Sequence, residues 1–584
     1  MSNAADTLSR KYTPRSHRPR KAAETCGFVG TILPARGPPT DWGELVQVHD
    51  DRDVSDGFQA SPDELPVSLT VLSFSVWKDD RMAFTQPNDS MAPPLVMLLA
   101  MALTFPAVGM AAEAGGLAAK AGAGRRLPSF PGAEGWGSDT PGGRGGKVMV
   151  VTNLNPDGPG SLQEACAAEG PRIVVFAVSG VINGMITIEN PNITIAGQTA
   201  PGAGITIAGI LASKEGINDV VIRHIRVRPM RAADTFAGPE GEKVARRVHA
   251  CGPNRDKVFD LDAIRAEPNE FHDAASLNGV KNLVVDHCSF SWGSDEVVSV
   301  CRSVNVTFQW CAIEEGAIKE GRKYSGYHNF GMFSAYNPKG CFISVHHSLF
   351  AHNSRRCPSV RDGFADLRNN VIYNARGGFD HDAGGANDYN YINNYFRRGP
   401  NSTGVLPGVS WGKKSWWAEF RSPGKGARYC VEGNLWDDQP PPLPPWVEDG
   451  SVRLKEPTPA PEVTTQTAKD AYELVLAQAG AWPHDAVTSR TIEEVRTGTG
   501  DYGRREPKGG LMEGLTPVVA PLDTDNDGMP NDWEKKNGLD PAKDDSAKVM
   551  PDGYTAIEVC INERADALVG KAPAGDKNRS GQQR

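Results

Sequence analysis

Short apolar runs recur through the middle of the chain, and most of them end in a pair of polar residues. Valine, isoleucine and phenylalanine dominate the runs, and loops of variable length separate them. Runs of this composition and length predict strands. The pattern is plainest in Asn192-Ile-Thr-Ile-Ala-Gly, Asp219-Val-Val-Ile-Arg-His, Asn282-Leu-Val-Val-Asp-His, Asn305-Val-Thr-Phe-Gln-Trp, Phe342-Ile-Ser-Val-His-His, Ala365-Asp-Leu-Arg-Asn-Asn and Tyr391-Ile-Asn-Asn.

The polar pairs are regularly spaced. Gln309 follows Asp286 by 23 residues. The pair at His346 is followed 23 residues later by Asn369, and 24 residues after that by Asn393. A period in the low twenties, with one set of strands per period, is typical of a solenoid.

No helices of crossover length alternate with these strands, so turns must join them. The prediction is an all-β fold, a right-handed parallel β-helix over residues 127–438. Recurrent Asn and His side chains are expected to stack in ladders that satisfy their polar atoms between coils. A leucine-rich repeat and a β-propeller were the alternatives, and the repeat motifs of both are absent.

The N-terminal part lacks this periodicity. Residues 1–90 are polar and rich in Arg and Pro, which indicates disorder or an over-extended start. The apolar run 91–112 ends in small residues, as an export signal does, although it lacks a basic start. It is short for a stable membrane span. The prediction is a secreted protein, extracellular or periplasmic; a short membrane anchor or a buried helix is the alternative.

The C-terminal part changes character again. Residues 439–461 are Pro-rich and predict an extended linker. Residues 462–515 predict short helices, one from Ala468 stopped by Gly480 and a second over 489–495. The tail beyond about residue 570 resembles a disordered segment in composition.

Charge and cysteine content narrow the partners. The formal charge is -9 and the pI is near 5.8, which argues against nucleic acid as the main partner. An acidic polysaccharide stays compatible, because a local basic site or a bridging divalent cation would suffice. None of the ten cysteines has a C-x-x-C spacing, and most are expected to be buried thiols, with one or two disulfides open. A monomer is expected.

An acidic run within residues 520–569 fits every fixed position of the calcium-loop pattern D-x-D-x-D-G-x5-E. Its carboxylates are Asp523, Asp525, Asp527 and Glu534, and glycine allows the sharp turn. The run resembles the calcium repeats of thrombospondin type 3 and dockerin-like modules. This resemblance implies a structural Ca²⁺ site, because neither a nucleophile nor a base accompanies the loop.

Three segments of the predicted solenoid combine acidic and basic groups. They are His272-Asp273-Ala-Ala-Ser-Leu, Trp292-Gly-Ser-Asp295-Glu296-Val-Val-Ser299, and His346-His347-Ser-Leu-Phe-Ala-His352-Asn-Ser-Arg355-Arg356-Cys-Pro358-Ser-Val-Arg361. With about one coil per repeat, these segments fall on successive coils, so groups distant in sequence can share one face.

The same segments resemble polysaccharide lyase family 1, the pectate lyases. Asp273 precedes the Asp286-His287 strand end by thirteen residues, Asp295 follows, and Arg356 opens an Arg-x-Pro-x-x-Arg turn that ends at Arg361. The resemblance covers about residues 128–438, including the Phe130-Pro-Gly-Ala-Glu-Gly-Trp-Gly entry and Gly142-Gly-Arg-Gly-Gly.

The resemblance implies a role for each matching residue. Asp273 and Asp295 would bind a catalytic Ca²⁺, Arg356 would take the C5 proton of a uronate, and Arg361 would hold a substrate carboxylate. The implied activity is calcium-dependent β-elimination of pectate or a related polyuronate. Lys323 and His328 are the candidates for the family's substrate-binding lysine, which has no clear match.

The chain departs from the family pattern at the metal site. Ser299 stands where many members have a further aspartate, and Phe271 replaces the first aspartate of an Asp-x-Asp pair. Glu296 is the candidate to compensate. Asp286, His287, His346 and His347 are expected in ladders.

Two other functions compete with the lyase. A polygalacturonase-like hydrolase would need paired carboxylates, and the Asp-Asp and Gly-His-Gly signature of that class is absent. A non-catalytic glycan-binding or adhesion protein would use the solenoid as a spacer.

Overall fold

A computed structural model describes residues 127–229, 242, 273–318, 329–336, 338, 340–361, 363–377, 379–381, 388–402, 418–420, 428–440 and 453–570. The predicted N-terminal segments 1–90 and 91–112 and the tail after residue 570 lie outside the described residues.

Strands, numbered in chain order, form three parallel sheets within the described ranges. Sheet A contains β1 (Lys147–Val151), β2 (Arg172–Phe176), β5 (Ile193–Ala196), β8 (Asn218–Arg223), β11 (Lys281–Asp286), β14 (Val304–Gln309), β17 (Phe342–His346), β20 (Phe364–Arg368), β23 (Asp388–Ile392) and β26 (Arg428–Glu432). Sheet B contains β3 (Gly180–Asn183), β6 (Ile205–Ala208), β9 (Ile225–Val227), β12 (Ser289–Ser291), β15 (Ala312–Glu314), β18 (Leu349–Ala351), β21 (Val371–Tyr373), β24 (Tyr395–Arg397) and β27 (Leu435–Trp436). Sheet C contains β4 (Ile186–Ile188), β7 (Leu211–Ser213), β10 (Ala275–Ser276), β13 (Glu296–Ser299), β16 (Phe330–Ser334), β19 (Ser359–Val360), β22 (Phe379–His381) and β25 (Ala418–Phe420).

From β2 to β25, strands from the three sheets follow one another in the repeating order A, B, C, and each strand pairs in parallel with the strand one coil away. The predicted polar pairs are neighbours in this register: Asp286 lies beside Gln309, and Gln309 lies beside His346. The predicted right-handed parallel β-helix is therefore confirmed.

One left-handed residue makes the corner between sheets A and B in successive coils. His287 (φ 48°), Trp310 (φ 53°) and His347 (φ 51°) occupy this corner in three of them. Their rings stack, with centroid distances of 5.9 Å from His287 to Trp310 and 4.3 Å from Trp310 to His347. Inside the turn, the Asn370 amide donates to Asn394 at 3.0 Å and the Asn394 amide donates to Asn434 at 2.9 Å. The expected ladders are present.

Apolar side chains fill the interior of the coils in stacked rows. Ile222, Val285 and Phe308 lie in adjacent strands of sheet A, and all three are buried. Eight cysteines among the described residues are buried, and the disulfides left open by the sequence do not form between them. Burial raises the pKa of Cys288 to about 12, which keeps this side chain a neutral thiol.

Helices cap the first coil and cover the outside of the solenoid. They are α1 (Leu162–Ala167), α2 (Ala468–Gln478), α3 (Ala486–Thr497), α4 (Asn531–Lys536) and α5 (Ala556–Val569). Helices α2 and α3 pack on sheet B, and α5 packs on the first strands of sheet A. Within the described ranges, no helix has the length and apolar character that crossing a bilayer requires.

The two predicted helices of segment 462–515 exist with shifted ends. Helix α2 ends at Gln478, two residues before Gly480. Helix α3 extends beyond 489–495 because Asp485 caps its N-terminus and Gly498 ends it in the left-handed conformation at φ 73°. Of the predicted linker, residues 439–440 and 453–461 are described, and the latter stretch contacts the solenoid, where the Thr458 backbone N–H donates to Asn390 at 2.9 Å.

A buried ion-pair cluster joins α3 to the solenoid. The Arg228 guanidinium is fully buried and donates to both Asp485 oxygens at 2.7 and 2.8 Å. It also reaches Glu314 at 3.2 Å and Thr488 at 3.0 Å. A buried guanidinium is tolerated only when its charge and its donors are matched, so the helical segment is part of the folded unit.

We expect Asp485→Ala to lower the free energy of unfolding by about 3–5 kcal/mol, because the substitution removes the two shortest ion-pair contacts of the buried Arg228 guanidinium and leaves only the longer one to Glu314. Burial acts to raise the pKa of Asp485, but Arg228 outweighs it and lowers the pKa to about 2. The stabilisation is therefore complete above the unfolded-state pKa of about 4 and is lost as the pH falls towards 2. Urea unfolding at neutral and acidic pH measures both effects. The exposed Lys469–Asp438 pair supplies the control, and Lys469→Ala should change stability little; equal losses in the two variants would contradict the prediction.

Candidate active site

Three carboxylates from neighbouring coils meet at one end of sheet C. Asp273 precedes β10, while Asp295 and Glu296 lie at the start of β13, and β10 and β13 are paired. One carboxylate oxygen from each residue lies within 4.8 Å of those of the other two. Asp273 accepts hydrogen bonds from the Ser276 hydroxyl at 2.7 Å and from the Glu296 backbone N–H at 3.2 Å. The parallel register thus unites residues that are 22 positions apart.

The electrostatics of Asp273 reflect this crowding. Burial, together with the nearby Asp295 carboxylate, raises the pKa of Asp273 to about 7. The hydroxyls of Ser276 and Ser299 and the charge of Arg356 act in the opposite direction without cancelling the shift. Ser299, which departs from the family pattern, therefore still faces Asp273. The burial of Asp273 and its proximity to Asp295 therefore disfavour its charged form.

Arg356 lies beside the carboxylates and comes from the turn before β19. Its backbone is left-handed, with φ 58°, and its carbonyl accepts a hydrogen bond from the Met332 N–H at 2.6 Å. The guanidinium forms an ion pair with Glu296 and stacks 4.4 Å from the ring centres of both Phe330 and Phe333. About a quarter of the side chain stays exposed, 24% by area, so it is accessible from outside.

Arg361 lies at the other end of the same short strand. Its guanidinium is 5.4 Å from the Phe333 ring centre, and its backbone N–H donates to Ser334 at 2.8 Å. The structure thus brings together Asp273, Asp295, Glu296 and Arg356. Arg361 is near this group, because its guanidinium and that of Arg356 both lie near the Phe333 ring. Lys323 and His328 lie outside the described residues.

Asp286 and His287 belong to sheet A and not to this cluster. Asp286 is buried and accepts from Arg223 at 2.8 Å and Gln309 at 2.8 Å. Burial alone would raise the pKa of Asp286, but His287 and Arg223 lower it well below its ordinary value. Although His224, Asp286 and His287 are close enough to share an ion, Arg223 already balances the carboxylate.

The acidic loop near the C-terminus forms a second oxygen cluster. Asp523, Asp525 and Asp527 each place one oxygen within 4.8 Å of the other two. Gly528 takes φ 90°, and its N–H donates to Asp523 at 3.0 Å. Glu534 is fully buried, and within the described part of the chain neither of its carboxylate oxygens has a hydrogen-bond partner. Burial and then Asp527 raise the pKa of Glu534 to about 7.

The comparisons with known proteins agree on one family. The probable pectate lyase C of Aspergillus flavus is 32% identical over 467 residues, which cover 75% of this chain and 94% of the relative. That of Neosartorya fischeri is 33% identical over 459 residues, with coverages of 75% and 93%. The chain belongs to the pectate lyase family. This membership confirms the predicted enzyme class, a pectate lyase-like polysaccharide lyase.

Solved pectate lyases also align with the chain. A Bacillus pectate lyase in complex with trigalacturonate aligns at 14% identity with a TM-score of 0.41, covering 60% of this chain and 98% of that structure. The cedar pollen allergen jun a 1 aligns at 17% identity with a TM-score of 0.40, covering 60% and 92%. No family model matches the chain.

Some residues of this candidate site were not predicted from the sequence. Ser276 was missed although it lies three residues after Asp273, on the same side of the strand entry. Phe330 and Phe333 were missed because they sit one coil away from Arg356 and follow a loop of irregular length. A register count backwards from Arg356 could have found both rings.

We expect Asp273→Asn to stabilise the protein in chelator at alkaline pH by about 1–3 kcal/mol, because it removes one of three crowded carboxylates. Since the folded-state pKa of Asp273 is raised to about 7, the folded protein holds this proton longer than the unfolded chain. The free energy of unfolding of the wild type should therefore fall as the pH rises from about 4 to about 7. The variant should not show this decrease. Thermal unfolding across that range measures it. Asp157→Asn, at an exposed position, is the control; a lower midpoint for Asp273→Asn at alkaline pH would contradict the prediction.

Proposed function

We propose that the chain is a secreted, calcium-dependent pectate lyase that cleaves pectate or a related polyuronate by β-elimination. The observation that carries the proposal is the position of Arg356, which contacts Glu296 beside Asp273 and Asp295 and is partly exposed. The relatives are named as pectate lyases, and one structurally similar pectate lyase was solved with trigalacturonate. The apolar run 91–112 supports export.

The donor set fits a calcium ion. Ca²⁺ prefers six to eight oxygen ligands, largely carboxylates. Three carboxylates meet at this site, and the pKa of one of them, Asp273, is raised. Asp273, Asp295 and Glu296 would hold the ion. Bound there, Ca²⁺ would neutralise the substrate carboxylate and so make the adjacent C5 proton more acidic.

The elimination then requires a base and a way to hold the sugar acid. Arg356 would take the C5 proton, the C5–H electrons would form the C4–C5 double bond, and the C4–O bond would break. The leaving oxygen would take a proton from solvent, so no hydrolytic water is consumed. Arg361 would bind a substrate carboxylate, since a guanidinium matches the geometry of a carboxylate with two parallel donors.

Arg356 needs a change of partner before it can act as a base. A free arginine has a pKa above about 12 and is charged at neutral pH. The ion pair with Glu296 favours that charged form further. If Glu296 contributes an oxygen to the cation, Arg356 loses this partner and meets a positive charge nearby, and both changes favour its neutral form.

We expect Arg356→Lys to reduce kcat by about 10²–10⁴-fold on polygalacturonate, because a lysine cannot reproduce the stacked, planar guanidinium. Removal of calcium by chelation should abolish the wild-type activity, and added calcium should restore it. Ultraviolet absorbance of the unsaturated product measures both effects.

Arg398→Lys is a matched control, because Arg398 lies on the exposed surface, where its contacts with described residues are to Asp437 and Trp436. Its activity should equal that of the wild type. Product absorbance that survives complete chelation, or an unimpaired Arg356→Lys variant, would overturn the mechanism. Release of reducing ends without unsaturated product would indicate a hydrolase.

We also propose that the acidic loop binds a second, structural Ca²⁺ through Asp523, Asp525, Asp527 and Glu534. The buried Glu534 carboxylate supports this, because two buried oxygens without a hydrogen-bond donor are costly unless a cation satisfies them. Gly528 packs against Val148 and Val175, so the loop sits on the first strands of sheet A.

We expect calcium to raise the unfolding midpoint of the wild type in proportion to the logarithm of its concentration once the loop is saturated. Glu534→Gln should lose most of this increase and keep the wild-type kcat, since the loop belongs to a separate cluster. Calorimetric calcium titration and thermal unfolding measure the effect, with Asp552→Asn, outside the cluster, as the control. A Glu534→Gln variant with an unchanged calcium-dependent midpoint would refute the structural site.

A further inference from the structure

A second ionic cluster joins the C-terminal helical segment to the solenoid corner that follows sheet B. Its centre is Glu315, whose side chain is fully buried. The Glu315 carboxylate accepts from the Trp292 indole at 3.0 Å, from Arg490 at 2.5 Å and from Arg505 at 2.7 Å. Two of these donors belong to the C-terminal segment and the third belongs to the preceding coil.

The corner is continuous from coil to coil. The Trp292 N–H donates to the Glu315 carbonyl at 3.1 Å, and the Glu315 N–H donates to the Ala351 carbonyl at 2.9 Å. The next turn is held as well, because the Gly316 N–H donates to the Asn353 side chain at 3.0 Å. Three successive turns are therefore stacked on one another by direct hydrogen bonds.

Two of these turns lead directly into the active site. Trp292 is three residues before Asp295, and His352 is four residues before Arg356. A shift of the corner would move the carboxylate cluster and the arginine relative to each other. Asp295 and Arg356 come from different coils. A contact that spans both coils therefore restrains the distance between these two residues.

Arg505 makes such a contact. Its guanidinium donates to Glu315 at 2.7 Å and to both oxygens of Glu494 at 2.6 and 2.7 Å. Glu494 in turn contacts the buried His352 ring at 2.9 Å. Arg505 thereby links the Trp292 turn, through Glu315, with the His352 turn, through Glu494.

The backbone around Arg505 lies very close to the side chains of the solenoid corner. Gly500 has φ 94°, and a Cβ at this position would lie 2.6 Å from the His352 ring and 2.5 Å from Glu494. The Tyr373 hydroxyl donates to the Thr499 carbonyl at 2.6 Å on the next coil. Arg504 stacks 4.7 Å from the Trp292 ring centre. The segment 498–505 thus follows the same corner over several coils.

We infer that Arg505 is a positioning residue for the lyase reaction, which fixes the separation of the turns that carry Asp295 and Arg356. The inference rests on the proposed function, since it assigns the C-terminal segment a part in that reaction. The side-chain hydrogen bonds of Arg505 to described residues go to Glu315 and Glu494, which lie outside the carboxylate cluster, so Arg505 acts through these two residues.

The test compares Arg505→Met with a control that loosens the same segment elsewhere. Arg564→Met removes a guanidinium that donates to the Thr199 carbonyl at 2.9 Å, remote in sequence from both turns. Arg505→Met should lower kcat on polygalacturonate by about 10- to 100-fold and raise the calcium concentration needed for half activation, because small misplacements of reacting groups are costly. Arg564→Met should lower the unfolding midpoint and leave kcat and calcium activation unchanged.

All assays are run well below the unfolding midpoint of every variant, so that lost activity does not reflect unfolding. Arg505→Lys should recover part of kcat, because a lysine keeps the charge but cannot bridge two carboxylates in a plane. If Arg505→Met folds and keeps the wild-type kcat and calcium midpoint, Arg505 is only a structural contact and the inference is wrong. A wild type without lyase activity on any polyuronate refutes the proposed function instead, whatever Arg505 does.

Discussion

Hydrogen bonding between successive coils is the constraint on which the rest of the structure depends. In a parallel β-helix each strand pairs with the strand one coil away, so every side chain has fixed neighbours roughly one period earlier and later. Asp286 beside Gln309 and Asn370 beside Asn394 show the rule in the ladders. The same rule brings Asp273 to Glu296, because β10 and β13 pair in register. The site is a product of that register.

Charged side chains are distributed unevenly over the solenoid, and the regions differ in how closely opposite charges are paired. Inside the helical interface the charges are matched: Arg228 has Asp485 and Glu314, and Glu315 has Arg490 and Arg505. At the candidate active site and in the acidic loop carboxylates crowd together, and the pKa values of Asp273 and Glu534 are raised to about 7. Matched clusters stabilise the fold, whereas crowded carboxylates favour binding of an added cation.

The C-terminal segment contacts several parts of the solenoid besides sheet B. Helices α2 and α3 bury apolar residues against sheet B, while the loop after α3 contacts the corner next to the site. Helix α5 and the acidic loop pack against the first strands of sheet A, which belong to the N-terminal coils of the solenoid. One continuous segment thus contacts both early and late coils of the solenoid.

The sequence by itself determined the solenoid, its period, the two main C-terminal helices and the candidates Asp273, Asp295, Glu296, Arg356 and Arg361, because apolar spacing and motif spacing are local properties. It also indicated the acidic loop. Only the tertiary structure decided that Glu296 pairs with Arg356, that Ser299 faces Asp273, and that Phe330 and Phe333 flank the guanidinium. It alone placed Arg505 against Glu315, 190 residues away. The physical reason is that loops of irregular length separate the coils, so contacts between coils follow from backbone pairing and packing and are not given by one constant period along the chain.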